Sequence, residues 1–212
     1  MSINIVDARN NKRDDFEDNF EAFYQKYKEC FLENCSVKTL DICGSLARKT
    51  AESFCRYMIL DSRKNDSQKY ELLYAKIFDK KTNKYRFEKK TLRKLIDALL
   101  KKDDPIIVEE DVRKHLRAEL ELILAKGNTA THDNDKEISL RDIEKIKPII
   151  LDLADYILGK RTVNLLVKEL DRKFSVEVKK SLSSNNDRMV INQESSGSGD
   201  NIARDKIVGK EF

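Results

Sequence analysis

Residues 16–31, FEDNFEAFYQKYKECF, set Phe16, Phe20, Phe23, Tyr27 and Phe31 three to four positions apart. An α-helix turns once in about 3.6 residues, so this recurrence gathers the five rings on one helical face. The pattern breaks over residues 34–38. It resumes as Cys43, Leu46, Ala47, Thr50, Phe54, Tyr57 and Met58, a second stripe that runs to about residue 60. Two amphipathic helices joined by a short connection are expected to pack antiparallel.

Working outward, residues 61–67 are polar and read as a loop, residues 70–78 form a short apolar run, and KKTN at 80–83 signals a turn. From about residue 87 the spacing of Leu92, Leu95, Ile96 and Leu99 restores a helix. Pro105 suits the first turn of a helix but not its interior. A helix is therefore predicted over 106–125, with Val112, Leu116, Leu120 and Ile123 inward and Gly127 as its C-terminal cap. Residues 128–138 are polar and read as a loop containing His132 and a turn closed by Asn128. Ser139, with Asp142 three positions on, is a weaker form of the capping box. It opens a helix whose stripe is Ile143, Ile146, Ile150, Leu153 and Ile157 and which Gly159 closes. Val163, Leu166, Val167, Leu170, Phe174 and Val178 continue the helical spacing.

Composition agrees with this periodicity. Of 212 residues, 38% are charged, glycine and proline together number eight, and tryptophan is absent; such a chain favours long amphipathic helices over turn-rich β-structure. The expected fold is all-α: an antiparallel helical bundle with an extra C-terminal helix and a flexible tail. Residues 1–13 lack apolar periodicity and read as a flexible arm, 14–160 as the principal domain, and 161–182 as a C-terminal helix suited to self-association. Residues 183–212 read as a polar linker ending in a short docking segment. No window of about 18 uncharged apolar residues is present to span a bilayer, and the opening residues lack a basic stretch followed by an apolar run. Cytoplasm is the expected compartment, with no membrane partner.

Cys30, Cys35, Cys43 and Cys55 contain no C-x-x-C pair of the kind that zinc knuckles and dithiol redox sites use, and they read as small apolar core residues. No Gly-rich phosphate loop, His-Glu-x-x-His site or Gly-x-Ser-x-Gly elbow occurs, so neither a metal nor another cofactor is expected. Charge is concentrated at one place. Residues 76–102 hold eleven basic side chains against Asp79, Glu88 and Asp97. Lys80, Lys81, Lys84, Arg86, Lys89, Lys90 and Lys94 are the candidate contacts to RNA or DNA phosphates, with Tyr85 and Phe87 available for base stacking. The competing reading is a solvated lysine-rich helix.

Two segments, LARKTAESFCR at 46–56 and LAKGNTATHD at 124–133, followed by the helix over 143–158, resemble the HEPN-like helical domains of prokaryotic conflict and restriction-associated proteins. The resemblance covers about residues 38–159. Catalytic members carry Arg-x-x-x-x-His, a cation and an acid-base group acting on RNA across a dimer. Here Gly127 stands five residues before His132. What the resemblance implies is therefore a non-catalytic interaction or adaptor module in a bacterial defence or related system, a homo-oligomer with a further protein partner. One alternative is an atypical, metal-independent ribonuclease or toxin using His132 with Lys126, Asn128 and Glu52, its cation supplied by Lys126, Arg117 or a second subunit. In that case Glu52 would orient His132; otherwise Glu52 pairs with Arg48 one turn away, and His132 fixes its loop. A second alternative is a nucleic-acid-binding accessory protein working through residues 76–102. The terminal GDNIARDKIVG at 199–209 resembles short segments that join adaptor and effector domains in multidomain conflict proteins.

Overall fold

The computed structural model describes residues 5–32, 35–79, 81–104, 106–132 and 137–194; for 5–7, 130–132 and 181–194 it describes the backbone alone. In chain order these form α1 (Ile5–Glu29), α2 (Val37–Asp61), α3 (Asp66–Leu73), β1 (Tyr74–Asp79), β2 (Lys84–Lys89), α4 (Leu92–Leu99), α5 (Glu110–His132), α6 (Leu140–Leu158) and α7 (Lys160–Glu194). The fold is mostly helical, with one small two-stranded sheet. The chain divides into two units, Met1–Asp171 and Arg172–Phe212. α7 contributes to both.

Local chemistry explains several helix ends. Ser36 opens α2 by accepting from the Thr39 backbone N–H at 3.2 Å. Asn65 and Gln68 form a reciprocal capping box on α3, and Ser139 and Asp142 form another on α6, as the sequence suggested. Gly159 ends α6 at φ 85°, in the region L side chains avoid.

α2 is the central element of the first unit. Contacts between Arg9 and Tyr57, Phe16 and Phe54, and Asn19 and Ser53 rise along α1 as they fall along α2, so the two helices are antiparallel. Lys126 beside Asp142 and Glu119 near Asp152 set α5 against α6 in the same opposed sense. Phe16, Phe20, Phe23, Phe54, Ile59, Leu120, Ile123, Ile143, Ile146 and Ile150 are buried together. The Thr50 hydroxyl, between the Leu46 and Asn19 carbonyls at 2.9 and 3.1 Å, and the Asn19 amide, donating to Ser53 Oγ at 2.9 Å, satisfy polar groups at the α1–α2 seam. Cys30, Cys43 and Cys55 are buried as free thiols, while Cys35 is half-buried.

Several expectations need correction. Residues 5–13 are helical, not an irregular arm: Arg9 reaches Asp61 at 2.8 Å and Ala8 packs on the core, so α2 supplies the partners that periodicity lacked. Gly127 lies inside α5 and caps nothing. A Cβ there would meet Arg48 Cβ at 2.7 Å and the Gly44 carbonyl oxygen at 3.2 Å, so glycine is needed for the close crossing of α5 on α2. Consequently Asn128 and the backbone of His132 are helical and form no loop, and α5 begins at Glu110, not at 106. Pro105 lies outside the described residues. Val112 is 40% exposed and does not face inward. Residues 183–194, read as linker, continue α7; the docking segment at 199–209 lies outside the described residues.

Candidate nucleic-acid interface

The basic stretch is not a lysine-rich helix. Between α2 and α5 it folds as α3, an antiparallel hairpin and α4. Strand register pairs Tyr74 with Lys89, Lys76 with Phe87, and Phe78 with Tyr85. Directly opposed residues share a face of a sheet, and alternate residues along a strand return to it. Tyr74, Lys76, Phe78, Tyr85, Phe87 and Lys89 therefore form one face, and Ala75, Ile77, Asp79, Lys84, Arg86 and Glu88 the other.

On the first face the rings cluster in two groups. Phe78 and Tyr85 have centroids 5.1 Å apart, and Lys76 Nζ lies 4.2 Å above the Tyr85 ring centre, a cation–π geometry. Nearer the base, Tyr70 of α3 stacks on Tyr74 at 4.6 Å and meets Phe87 edge-on at 5.2 Å. Despite these pairings, Tyr85 is 62% exposed, Phe87 52% and Phe78 45%. Rings of this size are the most valuable core material a chain has. Leaving three of them half in water beside exposed Lys76 and Lys89 presents both a π-surface and positive charge.

The base of the hairpin is rigidly held. The buried Arg56 guanidinium donates to the Lys90 carbonyl at 2.8 Å and to Glu52 Oε1 at 2.8 Å. The Lys90 backbone N–H donates to the Leu73 carbonyl at 2.9 Å, closing the ladder where the two strands meet the bundle. At the far end the Asp79 carboxylate accepts from the Lys81 N–H at 2.9 Å, which holds its pKa below the usual carboxylate range, and Asn83 takes the left-handed conformation at φ 52°.

The candidate phosphate contacts divide by position. Lys89 lies on the aromatic face, Lys81 in the exposed turn, and Lys94 is exposed on α4. Lys84 and Arg86 lie on the opposite face, with Arg86 2.7 Å from Glu88. Lys90 has a structural role: its ammonium donates to the Glu71 carbonyl at 2.6 Å, near the C-terminal end of α3, and burial lowers its pKa. Lys80 lies outside the described residues. Lys76, Phe78, Tyr70 and Tyr74 were absent from the candidate site.

The residues of the ribonuclease reading sit elsewhere, and their charges are engaged. Lys126 Nζ is 2.9 Å from Asp142 Oδ1. Burial pushes the Asp142 carboxyl up, but hydrogen bonds from Lys126 and Ser139 outweigh it and hold the pKa down. Glu52 binds Arg56, not Arg48 as expected. Because α5 is continuous, positions 126 and 132 lie about 120° apart around it. Arg117 bridges Asp97, Glu121 and the Leu100 carbonyl, and fifteen residues of helix put it about 22 Å from position 132. Asn128 is exposed on α5. The side chain of His132 lies outside the described residues.

Among the described residues no group of His, Cys, Asp or Glu is placed to hold a metal ion, and no helix is long and apolar enough to cross a membrane. Comparison of the chain with protein-family models, curated proteins and solved structures finds no match.

Proposed function

We propose that the chain binds single-stranded nucleic acid across the β1–β2 hairpin, as an accessory module whose helical bundle supports the platform and performs no cleavage. The observation that carries this reading is the shared face on which Phe78, Tyr85 and Phe87 stay exposed beside Lys76 and Lys89. An unpaired strand offers two things at each nucleotide, a π-face and a phosphate, and the platform supplies the complement of both. A duplex keeps its base faces inside the stack and offers mainly phosphates. The clamp of Arg56 and Lys90 at the hairpin base favours this role, since a platform set before binding loses less conformational entropy. The resemblance to HEPN-like domains would set such a module in a prokaryotic conflict system, bringing a partner to nucleic acid.

The test is fluorescence anisotropy with labelled oligouridylate and oligodeoxythymidylate of about 12 nucleotides and a duplex of equal length, sized to span a single-strand site. Single strands should bind more tightly than the duplex, and affinity should fall steeply as salt rises. Tyr85→Ala and Phe87→Ala should each weaken binding roughly 5- to 150-fold, the loss of one stacking contact. Lys76→Gln should reduce the logarithmic salt slope by about 0.7, as expected for one phosphate contact. Wild-type protein that binds no single strand at low salt, or aromatic variants that bind as wild type does, would reject the reading.

A further inference from the structure

The cysteines read from sequence as inert core residues have a second feature in the fold. Contacts at 16 with 54 and 19 with 50 set the register of α1 on α2, and the same antiparallel register brings Cys30, just past α1, opposite Cys43 of α2. Cys35, in the connection, completes a cluster: both Cys43 and Cys35 hydrogen-bond the Cys30 sulfur. Cys55, further along α2, is wholly buried and outside the group.

We propose that this cluster is an oxidation site, at which a two-electron oxidant of the peroxide class converts the Cys30 and Cys35 thiols to a disulfide. Cys35 is the half-buried thiol of the four, so the oxidant meets it first. Its sulfur attacks one peroxide oxygen, the O–O bond breaks, and Cys35 becomes a sulfenic acid as the first water leaves. The Cys30 sulfur then attacks the Cys35 sulfur, the S–O bond breaks, and the departing hydroxide takes the proton from the Cys30 thiol as the second water. Two electrons have passed from two thiols to one peroxide.

The cluster suits the second step better than the first. Hydrogen bonds from Cys43 and Cys35, with the charge of Lys26 nearby, favour the Cys30 thiolate, the form that attacks. Burial and the neighbouring Cys30 raise the Cys35 thiol above its ordinary range, so its encounter with oxidant is slow and sets the overall rate. The product would tie the end of α1 to the start of the α1–α2 connection and leave Cys43 and Cys55 reduced.

The test treats the full chain with hydrogen peroxide, blocks the remaining thiols under denaturing conditions, and maps cross-linked peptides by mass spectrometry. The expected result is a Cys30–Cys35 cross-link with two thiols lost. Cys35→Ser should abolish it with the helical circular dichroism unchanged, and Cys55→Ser should leave it intact. Four reduced thiols after oxidation of the folded protein would overturn the proposal. So would a cross-link through Cys55, a Cys30–Cys43 bridge as the main product, or a Cys30–Cys35 bridge that forms equally fast in urea.

Discussion

The bundle and the hairpin treat aromatic residues in opposite ways. In α1 and α2, Phe16, Phe20, Phe23 and Phe54 are at most 1% exposed, whereas Phe78, Tyr85 and Phe87 of the hairpin are roughly half exposed. Burial of a large apolar side chain contributes a few kcal/mol to stability, and a half-exposed ring contributes correspondingly less. The difference teaches where to look for function. The hairpin rings stabilise their own strands only through cross-strand pairs, each contributing about 0.2–1 kcal/mol, and the rest of their surface remains available to a ligand.

Substitutions in the two regions should therefore separate stability from binding. The largest effect belongs to the bundle: Phe20→Ala should cost about 3–5 kcal/mol, seen as a lower midpoint in urea unfolding. If it costs less than 1 kcal/mol, the core is not where the burial places it. Next comes Gly127→Val, which forces a side chain into the α5–α2 crossing against Arg48 Cβ and should destabilise by about 1–3 kcal/mol despite glycine's poor helix propensity. A stabilised variant would mean that the two helices do not approach so closely.

Phe87→Ala, in the hairpin, should change stability by no more than about 1 kcal/mol while weakening binding. A loss as large as that of Phe20→Ala would erase the contrast. The smallest effect is acid sensitivity at the α5–α6 contact. Folding lowers the Asp142 pKa through Lys126 and Ser139, so the folded state binds fewer protons and this contribution is present above the unfolded value of about 3.9. It is lost as pH falls through the lower folded value. Asp142→Asn should flatten the acid limb of a stability profile below about pH 4, and an unchanged limb would show that the contact contributes nothing there.

Much of the bundle was legible because its stripes repeat at the helical period, strongly enough that Ile143, Ile146, Ile150 and Leu153 pack on both sides of Pro148, which by itself argues for a break. Gly127 misled because a glycine after a helical run signals a stop and a close crossing equally; only the position of α2 decides between them. The start of α1 was missed for a related reason, since Tyr57 and Asp61, the partners of Arg9, lie far along the chain.

The hairpin was hidden by the feature that makes it a candidate site. Lys76 and Lys89 share a face with the rings, so hydrophobicity does not alternate cleanly along YAKIFD and KYRFEK. Tyr85 and Phe87 were identified beside the positive charge. Reading positions 74, 76 and 78 with 85, 87 and 89 as two period-two strands around KKTN would have found the whole platform. Nothing local marks Arg56 as its anchor, because the Lys90 carbonyl is brought to it by the fold.

The most direct measurement is made on the Tyr85→Ala/Phe87→Ala double variant, with thermal unfolding and single-strand binding read on the same sample. An unfolding midpoint within a few degrees of wild type, together with binding reduced at least about tenfold, is what an exposed stacking platform predicts. Unchanged binding, or binding lost only in step with helical structure, would contradict it.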